Sequence, residues 1–104
     1  MQTLTLFEDV FDALATGKTT TIRKGRIDIA LGTLLFESTE RKRQELVTVK
    51  MVYFCFLKDV LEVDLRNDGF KNHTDMSKKM KRFYPDITLH TEVTVIKFML
   101  QAKA

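Results

Sequence analysis

The chain changes from a helical to an extended pattern within ATGKTTTIR, residues 15–23. Upstream of it, apolar side chains recur at helical spacing behind a capping-box pattern at Thr5, which predicts a helix over residues 6–16. Gly17 follows at the position where a left-handed residue commonly ends a helix. The β-branched run after this glycine predicts a strand over 19–24, so a helix meets a strand through a tight turn.

Lys18 and Thr21 lie at or just beyond this turn, where a rigid scaffold commonly displays functional side chains. On a regular strand these two positions face opposite sides, so they can share a site only if Lys18 belongs to the turn. Lys18 can alternatively neutralise the C-terminus of the preceding helix. The Gly17-Lys18-Thr19 sequence does not predict a phosphate-binding P-loop, because Asp12 occupies the first glycine position and the strand–loop–helix order is reversed.

Length and composition predict one globular domain over 1–104, with 44% apolar and 30% charged residues. The longest apolar run, Met51–Leu57, is too short to span a membrane, and no N-terminal signal is recognisable, so we expect a cytoplasmic monomer without a membrane partner. Cys55 lies within this run and is interpreted as a small core residue. His73 and His90 show no ligand spacing, so neither a metal nor another cofactor is predicted.

The positive charges are clustered although the formal net charge is only +3. Residues 1–15 are acidic, residues 71–82 are basic, and Arg23, Lys24 and Arg26 form another basic group. Such groups suit phosphate backbones, but they also occur as solvated faces.

Further along the chain, alternating or apolar patterns predict strands over 33–37, 45–56 and 90–100. An amphipathic helix is predicted over 74–84, ending at Tyr84-Pro85. The second half of the strand over 45–56 is apolar on both faces, which predicts burial there and a small closed barrel. The predicted fold class is therefore α+β, a small mixed β-barrel with two short helices.

Several of these segments together resemble ASCH domains, which are small PUA-like barrels generally linked to RNA. The matching segments are residues 15–23, Asp68-Gly69-Phe70, Tyr84-Pro85 and Val95-Ile96-Lys97-Phe98. The resemblance spans nearly the whole chain and is greatest to the single-domain bacterial N(4)-acetylcytidine amidohydrolase group. It implies a PUA-like barrel and a modified nucleoside or RNA as the partner.

That group uses a lysine, a threonine and a glutamate, which fall on Lys18, Thr21 and Asp68 of this chain. The resemblance implies that Thr21 is the nucleophile, Lys18 the base and Asp68 the acid for the leaving amine. Aspartate replaces the family glutamate and is one methylene shorter. Its carboxyl group is therefore expected to fall about one ångström short unless the loop adjusts.

Several residues have two interpretations on sequence alone. Asp68 is either an acid of the site or a cap of the turn that follows it. Phe70 and Tyr84 can stack on a base or pack in the core. Glu62 and Asp64 are alternative carboxylates, which we expect to be exposed on a loop.

A different class of function is also consistent with the sequence, namely a non-catalytic RNA-binding module. It would use Lys18, Arg23, Lys24, Arg26 and the basic second helix for phosphates, and such binding should weaken steeply with salt. Arg23 can alternatively bind the carbonyl of a pyrimidine. RNA cleavage finds no support in paired histidines.

Overall fold

In the computed structural model, residues 1–101 are described, and they form a five-stranded sheet with three α-helices. In chain order the elements are β1 Thr3–Leu6, α1 Glu8–Asp12, β2 Thr20–Lys24, β3 Gly32–Ser38, β4 Gln44–Phe56, α2 Glu62–Asn67, α3 His73–Met80 and β5 Glu92–Leu100. Turns of 3-10 helix follow α1 over Ala13–Thr16 and β4 over Leu57–Asp59. No helix in this part of the chain is long and apolar enough to cross a membrane.

The strands follow the order β1-β3-β4-β5-β2, with β1 parallel to β3 and all other neighbours antiparallel. β1 and β2 are therefore the two edges of a sheet that curls into a half-barrel. Arg23 on β2 donates a hydrogen bond from Nη2 to the backbone oxygen of Thr5 on β1, at 2.9 Å. Arg23 thus spans the gap between the two edges.

An apolar cluster covers each face of the sheet, as the alternation of side chains along a strand requires. Val93 and Val95 of β5 are fully buried in the cluster that includes residues of α2 and α3. Ile96 and Phe98 point to the opposite face and pack in the cluster that contains residues of α1 and β3. The same alternation sends Lys97 to the face covered by α2, which becomes important for the site.

The predicted α+β class is confirmed, and the strands β2 to β5 lie within about two residues of their predicted bounds. The prediction that both faces are buried in the second half of β4 was wrong, because Phe54 is 41% and Phe56 is 48% exposed. Tyr53 and Cys55 pack toward the cluster beneath α2 and α3, so the alternate positions face away from those helices. Arg26 partly covers Phe54, with its guanidinium carbon 4.5 Å from the ring centroid.

The predictions for the helices need correction. Residues 3–6 form β1 rather than the approach to a helix, because they pair in parallel with β3, and Thr5 therefore caps nothing. The first helix is the short α1 extended by a 3-10 turn. The second predicted helix begins at His73, capped by Asn72, but ends at Met80 rather than at residue 84. A further helix, α2, was not predicted, and it contains Glu62 and Asp64.

Candidate active site

A cavity of about 840 Å³ opens between the edge strands β1 and β2. Its walls come from these two strands, from α1 and from the chain that follows α2, and the end of α3 forms its rim. Pockets of this size can enclose a ligand as large as a small drug molecule. Because both edge strands have a free side here, the cavity lies where the barrel fails to close.

The turn predicted around Gly17 delivers Lys18 to this cavity. Gly17 has φ 103°, a left-handed conformation that favours glycine, and it ends the 3-10 turn after α1. Strand pairing begins only at Thr20, so Lys18 precedes the alternation of the strand. Lys18 and Thr21 both line the cavity, as the turn position of Lys18 permits.

Lys18 is buried, with 6% of its surface exposed, and forms an ion pair with the carboxylate of Asp68. Its ammonium also donates to the backbone oxygen of Thr20 at 2.8 Å. Neither partner belongs to the helix that precedes Gly17, so the Lys18 ammonium does not bind the C-terminus of that helix. The shorter side chain of aspartate nevertheless reaches the lysine, so the expected gap between the two groups is absent.

Asp68 lies at the C-terminal end of α2 and joins this helix to β2. Its Oδ2 accepts a hydrogen bond from the backbone N–H of Ile22 at 3.1 Å. An aspartate that merely capped its own turn would bond to neighbouring backbone, whereas this bond crosses 46 residues of sequence. The two donors, Lys18 and Ile22, both stabilise the ionised carboxylate.

Burial at the bottom of the cavity changes the pKa values of the charged groups there. Burial and the positive charge of Arg23 lower the pKa of Lys18 from 10.5 to about 7, because both disfavour the ammonium. The carboxylate of Asp68 opposes this shift, since it stabilises the charge that it touches. Lys18 therefore has an amine that can gain and lose a proton near neutral pH.

Arg23 connects the nucleophile candidate to the edge of the sheet. Its Nε donates to Oγ1 of Thr21 at 3.3 Å, while Nη2 reaches β1. Thr21 is 4% exposed, and the guanidinium places a positive charge beside its hydroxyl group. Such a donor stabilises negative charge that develops on the hydroxyl oxygen. Burial lowers the pKa of Arg23 as well.

The remaining predicted site residues divide between the cavity and the outer surface. Phe70 lines the cavity and also packs against the apolar cluster beneath α3, as does Tyr84. Lys24 and Arg26 are not part of the lining. Lys24 forms an ion pair with Asp86 at 2.8 Å, and Arg26 forms one with Glu92 at 3.0 Å.

Asp64, one of the two alternative carboxylates, lies one helical turn before Asp68, and the prediction of its exposure was wrong. Asp64 of α2 is fully buried, not exposed as expected. Its carboxylate accepts a hydrogen bond from the Tyr53 hydroxyl at 2.5 Å and pairs with the Lys97 ammonium at 3.0 Å. Burial and this carboxylate raise the pKa of Tyr53. The four-residue spacing of Asp64 and Asp68 places them one turn apart, but a six-residue helix is too short to be recognised from such spacing.

The rim of the cavity carries aromatic rings and an ion pair that sequence patterns did not indicate. The rings of Phe7 and Phe83 have their centroids 5.0 Å apart. Arg82 lies over both rings and forms a two-pronged ion pair with Asp9, with distances of 2.6 and 3.1 Å. This contact joins α1 to the chain after α3 across the cavity.

Within residues 1–101 no group of three or more His, Cys, Asp or Glu side chains is arranged to hold a metal ion.

The fold defines a class of small α+β half-barrels built on a five-stranded mixed sheet. Its solved examples include the ASCH domain from Lactobacillus crispatus, with a TM-score of 0.71, 11% identity, and coverage of 95% of this chain and 79% of that one. A mutant of the ASCH protein from Zymomonas mobilis aligns with a TM-score of 0.69, 11% identity and coverage of 92% of this chain. The present chain spans 65% of the length of that protein.

Protein PF0455 from Pyrococcus furiosus has the same fold over 98% of both chains, with a TM-score of 0.64 and 17% identity. The sequence itself matches no protein-family model and no curated protein. The chain therefore has the ASCH fold, in agreement with the resemblance in its sequence motifs. At these identities, the likeness establishes the fold.

Proposed function

We propose that the cavity hydrolyses the acetyl amide of an N(4)-acetylated cytidine to cytidine and acetate. The observation that carries this proposal is the buried Lys18–Asp68 pair in one cavity with the Thr21 hydroxyl. Hydrolysis of an amide requires a nucleophile, a base and a group that protonates the leaving amine. The resemblance to the amidohydrolase group supports the same three residues.

In the first step, the oxygen of Thr21 attacks the acetyl carbonyl carbon and its proton passes to the neutral amine of Lys18. Arg23 stabilises the charge that develops beside Thr21. The bond from carbon to the cytosine nitrogen then breaks, and the nitrogen takes up the proton. Contact between Lys18 and Asp68 supports a role of the carboxylate in passing that proton onward.

In the second step, water attacks the acetyl ester on Thr21, with Lys18 again accepting a proton. Acetate leaves and the Thr21 hydroxyl is restored. One water molecule is consumed for each acetyl group, so the overall reaction balances as hydrolysis. The pKa of Lys18, about 7, suits both steps because a base works best when its pKa lies near the working pH.

The test is the release of cytidine from N(4)-acetylcytidine, followed by chromatography. We expect turnover by the intact protein and a loss of about a hundredfold or more in Lys18→Met, which keeps the length of the side chain but removes the base. Lys42→Ala is the matched control, because Lys42 is exposed and pairs with Glu40 outside the cavity. Full activity of a folded Lys18→Met protein would refute the proposal, as would no turnover by the intact protein.

The alternative of a non-catalytic RNA-binding module has less support from the surface charges. Two of its candidate cations, Lys24 and Arg26, lie outside the lining of the cavity that holds Lys18 and Arg23, so the four cations do not form one binding surface there. Binding of RNA without turnover, weakening steeply with salt, would favour this alternative.

A further inference from the structure

The lining of the cavity carries an excess of basic over acidic side chains. Seven charged side chains line it, of which five are basic and two acidic: Lys18, Arg23, Lys78, Lys79, Arg82, Asp9 and Asp68. The lining thus carries a formal charge of +3, which equals the net charge of the whole chain. The rest of the sequence therefore has no net charge.

Arg82 is paired with Asp9, and the other four cations divide into an inner and an outer group. Lys18 and Arg23 form the inner group at the bottom of the cavity, where Asp68 forms an ion pair with Lys18. Lys78 and Lys79 of α3 are exposed at the rim. The chemistry proposed above uses the inner group and leaves the outer one without a role.

The outer cations are only partly neutralised by neighbouring acids. Lys79 pairs with Asp75 at 3.3 Å through an exposed contact within one helix, a kind of pair that contributes little stability. Lys78 has no ion-pair partner in the described part of the chain. Both ammonium groups are thus available to a ligand that enters the cavity.

An uncharged nucleoside leaves this outer group without a counter-charge. A phosphate monoester carries a charge of about −1.5 to −2 and three strong acceptor oxygens, which suit a pair of lysines. Thr21, the rings of Phe7 and Phe83, and the two lysines all line this one cavity. The rim therefore has the chemistry of a phosphate subsite.

We infer that the ligand of this cavity is phosphorylated, with its phosphate bound by Lys78 and Lys79. The inference builds on the proposed function, since it names the form of acetylated cytidine that the site prefers. The shared chemistry is a cytidine phosphate, whether it comes from a mononucleotide or from a strand of RNA.

Binding of cytidine and of cytidine 5′-monophosphate, measured by calorimetry, tests the phosphate site without requiring turnover. We expect the monophosphate to bind about tenfold more tightly, as one charge-assisted contact provides. The double variant Lys78→Ala/Lys79→Ala should lose this preference but bind cytidine as before. The control Lys42→Ala/Lys81→Ala removes two positive charges outside the lining. It should keep the preference for the monophosphate.

Equal binding of the two compounds by the intact protein would overturn the inference. An equal loss of the preference for the monophosphate in both double variants would also overturn it. A short oligoribonucleotide with a central cytidine identifies the source of the phosphate. A strand is indicated if the oligoribonucleotide binds more tightly than the mononucleotide. Its affinity should then fall about threefold per neutralised phosphate between about 50 and 200 mM salt. Equal binding indicates a mononucleotide.

The proposed function and this inference can fail separately. A preference for the monophosphate without any hydrolysis of acetylated cytidine would overturn only the proposed function. Hydrolysis of N(4)-acetylcytidine by a protein that binds cytidine and its monophosphate equally would overturn only the inference.

Discussion

The pH dependence of turnover offers a direct test of Lys18 as the base. A base acts in its neutral form, and the pKa of Lys18 is about 7. The neutral fraction is then about one tenth at pH 6 and about nine tenths at pH 8. We therefore expect kcat/KM to rise about tenfold between these two pH values and to level off above them.

Replacement of Asp68 by asparagine separates the charge of this residue from its shape. The variant keeps an oxygen for the backbone N–H of Ile22 but removes the negative charge that touches the Lys18 ammonium. Loss of an opposite charge in contact commonly changes a pKa by about one to three units. The rise in kcat/KM should therefore move to lower pH by at least about one unit, while the plateau falls.

The assay is the initial rate of cytidine release at constant ionic strength, for the intact protein, Asp68→Asn and the control Lys42→Ala. The control should reproduce the profile of the intact protein, because Lys42 pairs with Glu40 away from the cavity. A rate that falls as the pH rises from about 6 to 8 would refute Lys18 as a neutral base. A midpoint that is the same in Asp68→Asn and the intact protein would refute the electrostatic coupling of the pair.

Three further predictions follow from contacts around the cavity. Tyr53→Phe removes the hydroxyl that donates a hydrogen bond to the buried carboxylate of Asp64. Urea denaturation should therefore show a loss of about 1–3 kcal/mol in the free energy of unfolding. An unchanged denaturation midpoint would contradict the role of this bond. Gly17→Ala meets no steric clash but has to adopt φ 103°, so we expect a loss of about 1–2 kcal/mol by thermal denaturation and weaker turnover, whereas full stability would show that the turn rearranges. Arg23→Lys loses the planar fork that joins both edges of the sheet, and kcat/KM should fall about tenfold to a hundredfold; wild-type rates would exclude a catalytic role for the guanidinium.

Errors in the sequence-based helix assignment have a clear physical origin. Residues 3–6 precede a helical spacing of apolar side chains, yet they pair in parallel with β3, some thirty residues further along the chain. A single sequence carries no local sign of such a partner. The helix α2 is only six residues long, too short for its periodicity to distinguish it from a loop.

The residues of the candidate site also separate into local features, which the sequence predicts, and contacts between distant segments, which it does not. Strand alternation and the glycine turn are local properties of backbone and side chain, so the sequence alone indicated that Lys18 could face the same side as Thr21. The partnership of Lys18 with Asp68, the burial of Asp64 and the bridge from Arg23 to β1 join distant segments. Only the tertiary structure decided these contacts, because they depend on which surfaces exclude water together once the sheet has curled and α2 has packed on it.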